Sequence, residues 1–155
     1  MVPVQYGFDN IEGYEAHGGW IASSVQLAKF VTDFDGTRKP RTLKESSVRT
    51  MWDRPVGKAG LDPNGTPSAA YYGCGWNVRP VPQTSSGNAW HGGFILGTEA
   101  QIVRLSSGVD WTLVLNGSKV GNEPGLAATL DQTINAHIGQ IRRWPSSDLF
   151  RKYLT

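Results

Sequence analysis

Glycine and proline divide this chain into short segments, and this division limits the folds open to it. The 155 residues include 19 glycines and 9 prolines, which gather between stretches of periodic hydrophobicity. No internal repeat is present, and no apolar stretch approaches the roughly 20 residues of a membrane helix. The sequence therefore predicts one globular domain over residues 1–155 built from several short elements, with terminal extensions at 1–12 and 145–155.

The charge balance gives no feature suited to nucleic acid. Fifteen Lys and Arg residues stand against thirteen Asp and Glu residues, a formal net charge of +2, and the longest basic group is Arg38-Lys39 with Arg41. Binding of a phosphate backbone needs a larger positive field. Residues 2–6 lack the charged start and apolar centre of a signal peptide. We therefore expect no nucleic-acid partner and no membrane contact, and a cytoplasmic location for the chain as written.

The residues that usually carry metal or redox chemistry are few. Cys74 is the single cysteine, and it is expected to be a buried, inert thiol because it lies between two glycines with no neighbouring base. His17, His91 and His137 show no spacing typical of a zinc site. No phosphate-binding glycine loop and no Gly-x-Ser-x-Gly motif occurs. The sequence therefore predicts no metal and no cofactor.

Two helices are expected before the centre of the chain. Either serine of the 23–24 pair can cap a helix over 23–34, whose apolar residues recur every three or four positions. Thr42 and Glu45 have the spacing of a capping box for a second, short helix that Pro55 stops.

A third helix is expected over 125–142. Its apolar residues form one stripe that must be buried against a sheet or against a partner: Leu126, Leu130, Ile134, Ile138 and Ile141.

Between residues 71 and 116 the pattern changes to short aromatic and β-branched runs, which favour strands. The turn Ser106-Ser107-Gly108 is short enough to pair its flanking runs directly. The predicted fold class is α+β, an antiparallel sheet of three to five strands with the 125–142 helix packed on one face and the 23–34 helix at its border. The four predicted strands are 71–78, 90–96, 100–105 and 109–116.

The run Trp90-His91-Gly92-Gly93-Phe94 is the strongest candidate for a site. Two consecutive glycines in a strand remove side chains where something approaches the backbone. A ligand is one candidate for that neighbour. The residues alone favour the other interpretation, a β-bulge or the tight packing of another segment.

Four motifs in order resemble the carboxyl-terminal part of the serine β-lactamase and penicillin-binding-protein superfamily, on its class C, esterase and D-aminopeptidase side. Residues 16–23 and the helix behind them resemble its Gly-Gly-hydrophobic-x-Ser stretch. Tyr72-Gly73-Cys74-Gly75-Trp76 resembles its Tyr-Gly-Leu-Gly-Trp strand. His91-Gly92-Gly93 resembles the Lys/His-Thr-Gly triplet beside the active site, and the run from Trp111 to Asn116 resembles the following strand. The resemblance covers about residues 13–141 and implies the corresponding part of the β-lactamase/transpeptidase-like fold.

The resemblance implies one wall of an acyl-transfer site without its nucleophile. In that family Ser-x-x-Lys supplies the activated hydroxyl, and Tyr-x-Asn or Ser-x-Asn completes the acid/base apparatus. Here no serine has lysine three positions later, no Tyr-x-Asn occurs, and Ser86-Gly87-Asn88 lies too close to the triplet to be that motif. No catalytic residue is therefore predicted. By resemblance, His91 would contact a substrate carboxylate or steady the acid/base group, Gly92 and Gly93 would admit substrate, and the Phe94 N–H would be an oxyanion donor.

Three functions stay open. The first is a carboxyl-terminal fragment of a β-lactamase-related serine hydrolase, inactive alone, whose nucleophile another segment or chain supplies. The alternative is a free-standing, non-catalytic binding or structural module derived from that fold. The third is an enzyme of unrelated mechanism that uses His91 with Asp110 or Glu99.

The resemblance also predicts how the chain associates. In the resembled fold, amino-terminal strands flank the strand that runs from Trp111 to Asn116, so their loss leaves an open edge. That edge is expected to pair with a second copy or a complementary amino-terminal chain, or to be covered by residues 1–12.

Overall fold

Five antiparallel strands, neighbouring one another in chain order, form the centre of the computed structural model. The structure describes residues 10–35, 42–82, 87–119, 125–147 and 149. The predicted α+β class is confirmed, at the upper end of the expected strand number. The strands are β1 (Tyr71–Tyr72), β2 (Asn77–Pro80), β3 (Gly87–Ile95), β4 (Thr98–Arg104) and β5 (Asp110–Leu115).

Helices precede and follow the sheet. They are α1 (Glu15–Gly18), α2 (Ser24–Asp35), α3 (Glu45–Trp52) and α4 (Leu126–Ile138), and single 3-10 turns form at Ile11–Tyr14 and Gly57–Gly60.

Ser23 caps α2 as its sequence predicts, whereas the expected cap of α3 is wrong. The Ser23 Oγ accepts from the Gln26 N–H at 3.2 Å, and the Gln26 Oε1 accepts from the Ser23 N–H at 2.8 Å, which completes a capping box. Thr42 instead donates its hydroxyl to Oδ2 of Asp33 at 2.8 Å, and Lys44 occupies the N-cap of α3 without a side-chain cap. Thr42 therefore makes a tertiary contact with α2 instead of the local cap that its spacing from Glu45 predicts.

The run predicted as one strand over 71–78 is two strands joined by a tight turn. The Gly73 N–H donates to the Trp76 carbonyl at 2.7 Å, and Gly75 has a φ of 77°, which glycine adopts without a steric penalty. Cys74 lies at the tip of this hairpin and is exposed. The expectation of a buried thiol was therefore wrong, because a turn replaces the strand interior in which it was placed.

One face of the sheet carries the main hydrophobic core. Val31 of α2 is fully buried, and Phe34 meets Trp76 with ring centroids 5.1 Å apart. Val78 and Ala89 sit opposite each other on β2 and β3, so their side chains share this face. The 23–34 helix, expected at the border of the sheet, thus lies over one face and contacts β4 and β5.

The opposite face carries α4, which polar contacts hold in place. The Ala127 N–H donates to Glu99, the Gln101 amide to Asp131, and the Trp111 indole to Asn135. These donor–acceptor distances are 2.8, 3.0 and 3.0 Å respectively. The predicted helix packs on the sheet but ends at Ile138, and its apolar stripe is turned partly into solvent: Leu130 is 36% and Ile141 is 42% exposed.

Candidate functional site

Strand β3 is paired on both edges over its first half and on one edge over its second half. Gly87 to Trp90 pair with β2, whereas the pairing with β4 continues to Ile95. The edge from His91 to Ile95 therefore has no partner strand in the described part of the chain. In an antiparallel ladder, alternate residues direct their N–H and C=O groups away from the paired strand. This half of β3 thus offers backbone donors and acceptors to a ligand.

Gly92 and Gly93 lie in the open half of β3, and neither expected structural reason for them holds. The register with β4 runs through both residues without a bulge, and neither has a positive φ. A Cβ built on Gly92 would lie 3.9 Å from the Ala100 oxygen, and one on Gly93 would lie 3.8 Å from the Ala100 Cβ, both ordinary contact distances. The favoured interpretation, a bulge or tight packing, is corrected, because no described segment approaches closely.

His91 is half-buried and touches the hairpin of β1 and β2. Its Nε2 lies 2.9 Å from the hydroxyl oxygen of Tyr72, and the two rings meet edge to face with centroids 5.7 Å apart. This contact was not predicted, because it joins residues 19 apart through the register of three strands.

Phe94 extends an exposed apolar surface from β3. Its side chain is 60% exposed, and the residues after α1 are more so, with Trp20 at 83% and Ile21 at 97%. A Cβ on Gly18 would lie 3.9 Å from Cδ1 of Ile95, so the end of α1 reaches the end of β3. The glycine pair that follows His17 therefore lies near the end of β3.

A groove of about 570 Å³ runs from the open half of β3 toward α4. Gly92 and Phe94 line one end, and Asp131 and Asn135 of α4 line another part. Trp90 is a half-buried wall residue, and the Arg79 guanidinium lies 5.2 Å from its ring centroid. The groove combines an aromatic surface with amide and carboxylate groups, so it suits a ligand with both polar and apolar parts.

The two acidic residues considered as partners of His91 have other roles. Glu99 is 3% exposed, and its carboxylate accepts from the Ala127 N–H; this hydrogen bond is the chief reason that its pKa is lowered. Asp110 lies in register with Arg104, and burial, then the neighbouring carboxyl of Asp35, raises its pKa to about 8. Tyr72 is the hydrogen-bond partner that the described residues supply to the His91 ring.

The described residues show no group of three His, Cys, Asp or Glu side chains that could hold a metal ion. Across the same residues, no helix has both the length and the apolar character that crossing a membrane requires. The chain matches no protein-family model, no curated protein and no solved structure. The family resemblance therefore rests on the four motifs and remains a prediction.

Proposed function

We propose that this chain forms the substrate-binding wall of a β-lactamase-type serine hydrolase and that its nucleophile comes from another segment or chain. The observation that supports this is the open half of β3, where unpaired backbone groups lie beside His91. Gly92 and Gly93 leave that backbone accessible, and the groove continues from it. Extended acyl compounds can pair with such an edge as an added strand.

Chemistry at this wall needs an activated hydroxyl from elsewhere. A serine hydroxyl attacks a carbonyl only when an adjacent base removes its proton, and no serine of the chain has lysine three positions later. The N–H groups along β3 would stabilise the developing oxyanion, with Phe94 as the donor that the resemblance implies. The chain alone is therefore expected to bind an acyl compound without being acylated.

The exposed apolar side chains next to the site support a missing neighbour. Trp20, Ile21 and Phe94 are each more than half exposed, and the end of α1 lies close to the end of β3. A segment that covered all three would bury a contiguous apolar patch, and such patches typically form interaction surfaces. We infer that the segment that carries the nucleophile covers them.

The edge of β5 is the second place where a partner would bind. In the described part of the chain β5 pairs with β4 alone, and Val114 is 40% exposed. The flank of α4 that carries Leu130 is also partly exposed, so an added strand would bury apolar area as well as satisfy backbone groups. We propose that a second copy or a complementary amino-terminal chain pairs here, at residues 111–116.

Two measurements on the isolated chain test the binding wall. After incubation with a fluorescent penicillin, intact mass spectrometry should show no adduct. Amide NMR spectra recorded during titration with benzylpenicillin should show shifts concentrated at residues 91–95. His91→Gln should weaken these shifts, whereas His137→Gln, at an exposed helix position, should leave them unchanged. A covalent adduct, or shifts that avoid β3, would refute the proposal.

Complementation separates the fragment from a free-standing binding module. The module has its own support, since the open strand and the groove are both formed within this chain. A separate polypeptide that carries Ser-x-x-Lys should make penicillin labelling appear if the chain is part of a hydrolase. Binding that persists without any such labelling favours the module.

The β5 edge is tested by Val114→Lys, which places a charge on the edge strand. Light scattering should show that this substitution abolishes self-association, while Val56→Lys, at a residue 95% exposed, leaves it intact. A wild-type monomer whose β5 amides exchange rapidly with solvent would contradict pairing at this edge.

A further inference from the structure

We propose that Tyr72 is a positioning residue that fixes the tautomer of His91. In this arrangement the Tyr72 hydroxyl donates its hydrogen to Nε2, and the neutral imidazole carries its own hydrogen on Nδ1. The distance of 2.9 Å between the two atoms is that of a normal hydrogen bond. A neutral imidazole has one acceptor nitrogen, so a donor at Nε2 leaves Nδ1 as the donor.

The strand register holds the two residues together. Tyr72 sits opposite Asn77, and Asn77 sits opposite Trp90, the residue before His91. The hairpin after Tyr72 therefore sets where the phenol ring stands relative to β3. The edge-to-face contact, with 63° between ring planes, further restricts the imidazole. The His91 ring thus has both a fixed orientation and a fixed donor.

The consequence for binding rests on the proposed function. In the described residues no second hydrogen-bond partner meets the His91 ring, so its Nδ1–H is available to an oxygen of an acyl ligand. A partner that sets the tautomer of one ring nitrogen determines what the other nitrogen can offer. Tyr72 would then act on the ligand only through His91.

His137 provides an internal reference for the tautomer. Its Nδ1 lies 2.7 Å from the carbonyl oxygen of Thr133, which can only accept, so Nδ1 carries a hydrogen there. Both histidines should therefore give the Nδ1–H pattern in long-range proton–nitrogen NMR spectra recorded at pH 8.5. Tyr72→Phe should move His91 toward the Nε2–H form and leave His137 unchanged.

Tyr71→Phe is the matched control. Tyr71 also donates its hydroxyl in a hydrogen bond, to the Trp52 carbonyl at 2.8 Å, so its loss tests general structural damage. This variant should keep the wild-type tautomer of His91. The proposal is overturned if wild-type His91 is in the Nε2–H form, or if Tyr72→Phe leaves the tautomer unaltered.

Titration with benzylpenicillin separates this proposal from the proposed function. Where the wild-type chain binds, Tyr72→Phe should weaken binding about 3- to 10-fold, the effect of one net hydrogen bond. Absence of shifts at residues 91–95 in the wild type would refute the binding wall. The tautomer spectra would still decide whether Tyr72 positions His91.

Discussion

Glu99 joins the sheet to α4, and its replacement should destabilise the protein by a calculable amount. The side chain projects from β4 and is 3% exposed. Its Oε2 accepts from the Ala127 N–H at 2.8 Å, and its Oε1 accepts from the Lys119 N–H at 3.2 Å. The carboxylate thus satisfies a first-turn amide of α4 and places a negative charge at the positive end of that helix.

Glu99→Gln retains the shape of the side chain and removes its charge. One carboxylate oxygen becomes an amide nitrogen, so one of the two N–H groups loses its acceptor. A buried donor without a partner costs roughly 1–3 kcal/mol, and the lost charge at the helix end about 0.3–1 kcal/mol. We therefore expect the free energy of unfolding to fall by about 1.3–4 kcal/mol at pH 7. For a chain of this size the melting temperature should drop by roughly 4–12 °C.

Urea unfolding followed by tryptophan fluorescence measures this loss. The pKa of Glu99 is lowered in the folded state, so its stabilising contribution is present above the unfolded pKa and is lost as pH falls through the folded pKa. The difference between wild type and Glu99→Gln should therefore shrink as the pH is lowered. Glu12→Gln, at an exposed residue, should stay within about 0.5 kcal/mol of wild type. An equally small effect of Glu99→Gln at pH 7 would refute the reasoning.

Five further substitutions test the core, the buried acid and the glycines. Val31→Ala removes two methyl groups from a fully buried site and should cost about 2–3 kcal/mol in urea unfolding, whereas Phe30→Ala, at a residue 48% exposed, should cost less. Burial raises the pKa of Asp110 to about 8, so its carboxyl is mainly protonated in the folded protein at pH 7. The free energy of unfolding is therefore highest below the unfolded pKa of this carboxyl and falls as the pH rises through 8. Asp110→Asn should flatten that decline between pH 5 and 9, and an unchanged slope would contradict the assignment. Gly92→Ala should be within about 1 kcal/mol of wild type, while Gly73→Ala, whose Cβ would collide with a backbone carbonyl, should lower the melting temperature substantially.

The sequence predicted those parts of the fold that depend on neighbours along the chain. The turn Ser106-Ser107-Gly108 pairs its flanking runs as expected, with Gly108 at a φ of 83°. Ser23 caps α2 because its partner Gln26 is three residues away. The hairpin within 71–78 was missed because aromatic residues flank Gly73-Cys74-Gly75 on both sides and imitate a continuous strand.

The position of the candidate residues on a strand was predictable, whereas their surroundings were not. The run from His91 to Phe94 could be placed on a strand because aromatic and β-branched residues recur over residues 90–96. The outer edge of β3 is open because β2 is short. Strand β2 pairs with only four of the nine residues of β3. The contact of Tyr72 with His91 depends on the same register. Strand lengths and registers are set by pairing between distant segments, so a local pattern does not contain them.

The rotation of α4 shows how polar contacts outweigh a hydrophobic stripe. The stripe of leucines and isoleucines predicted burial against the sheet or against a partner, and it is Ala127, Asp131 and Asn135 that meet the sheet. These three residues recur every four positions, so they share one side of the helix. Turning the leucine side inward would leave buried Glu99 and the Trp111 indole without partners, and such groups cost about 1–3 kcal/mol each. The partial exposure of the stripe therefore follows from the polar contacts between α4 and the sheet, and it leaves apolar area on α4 for a partner to bury.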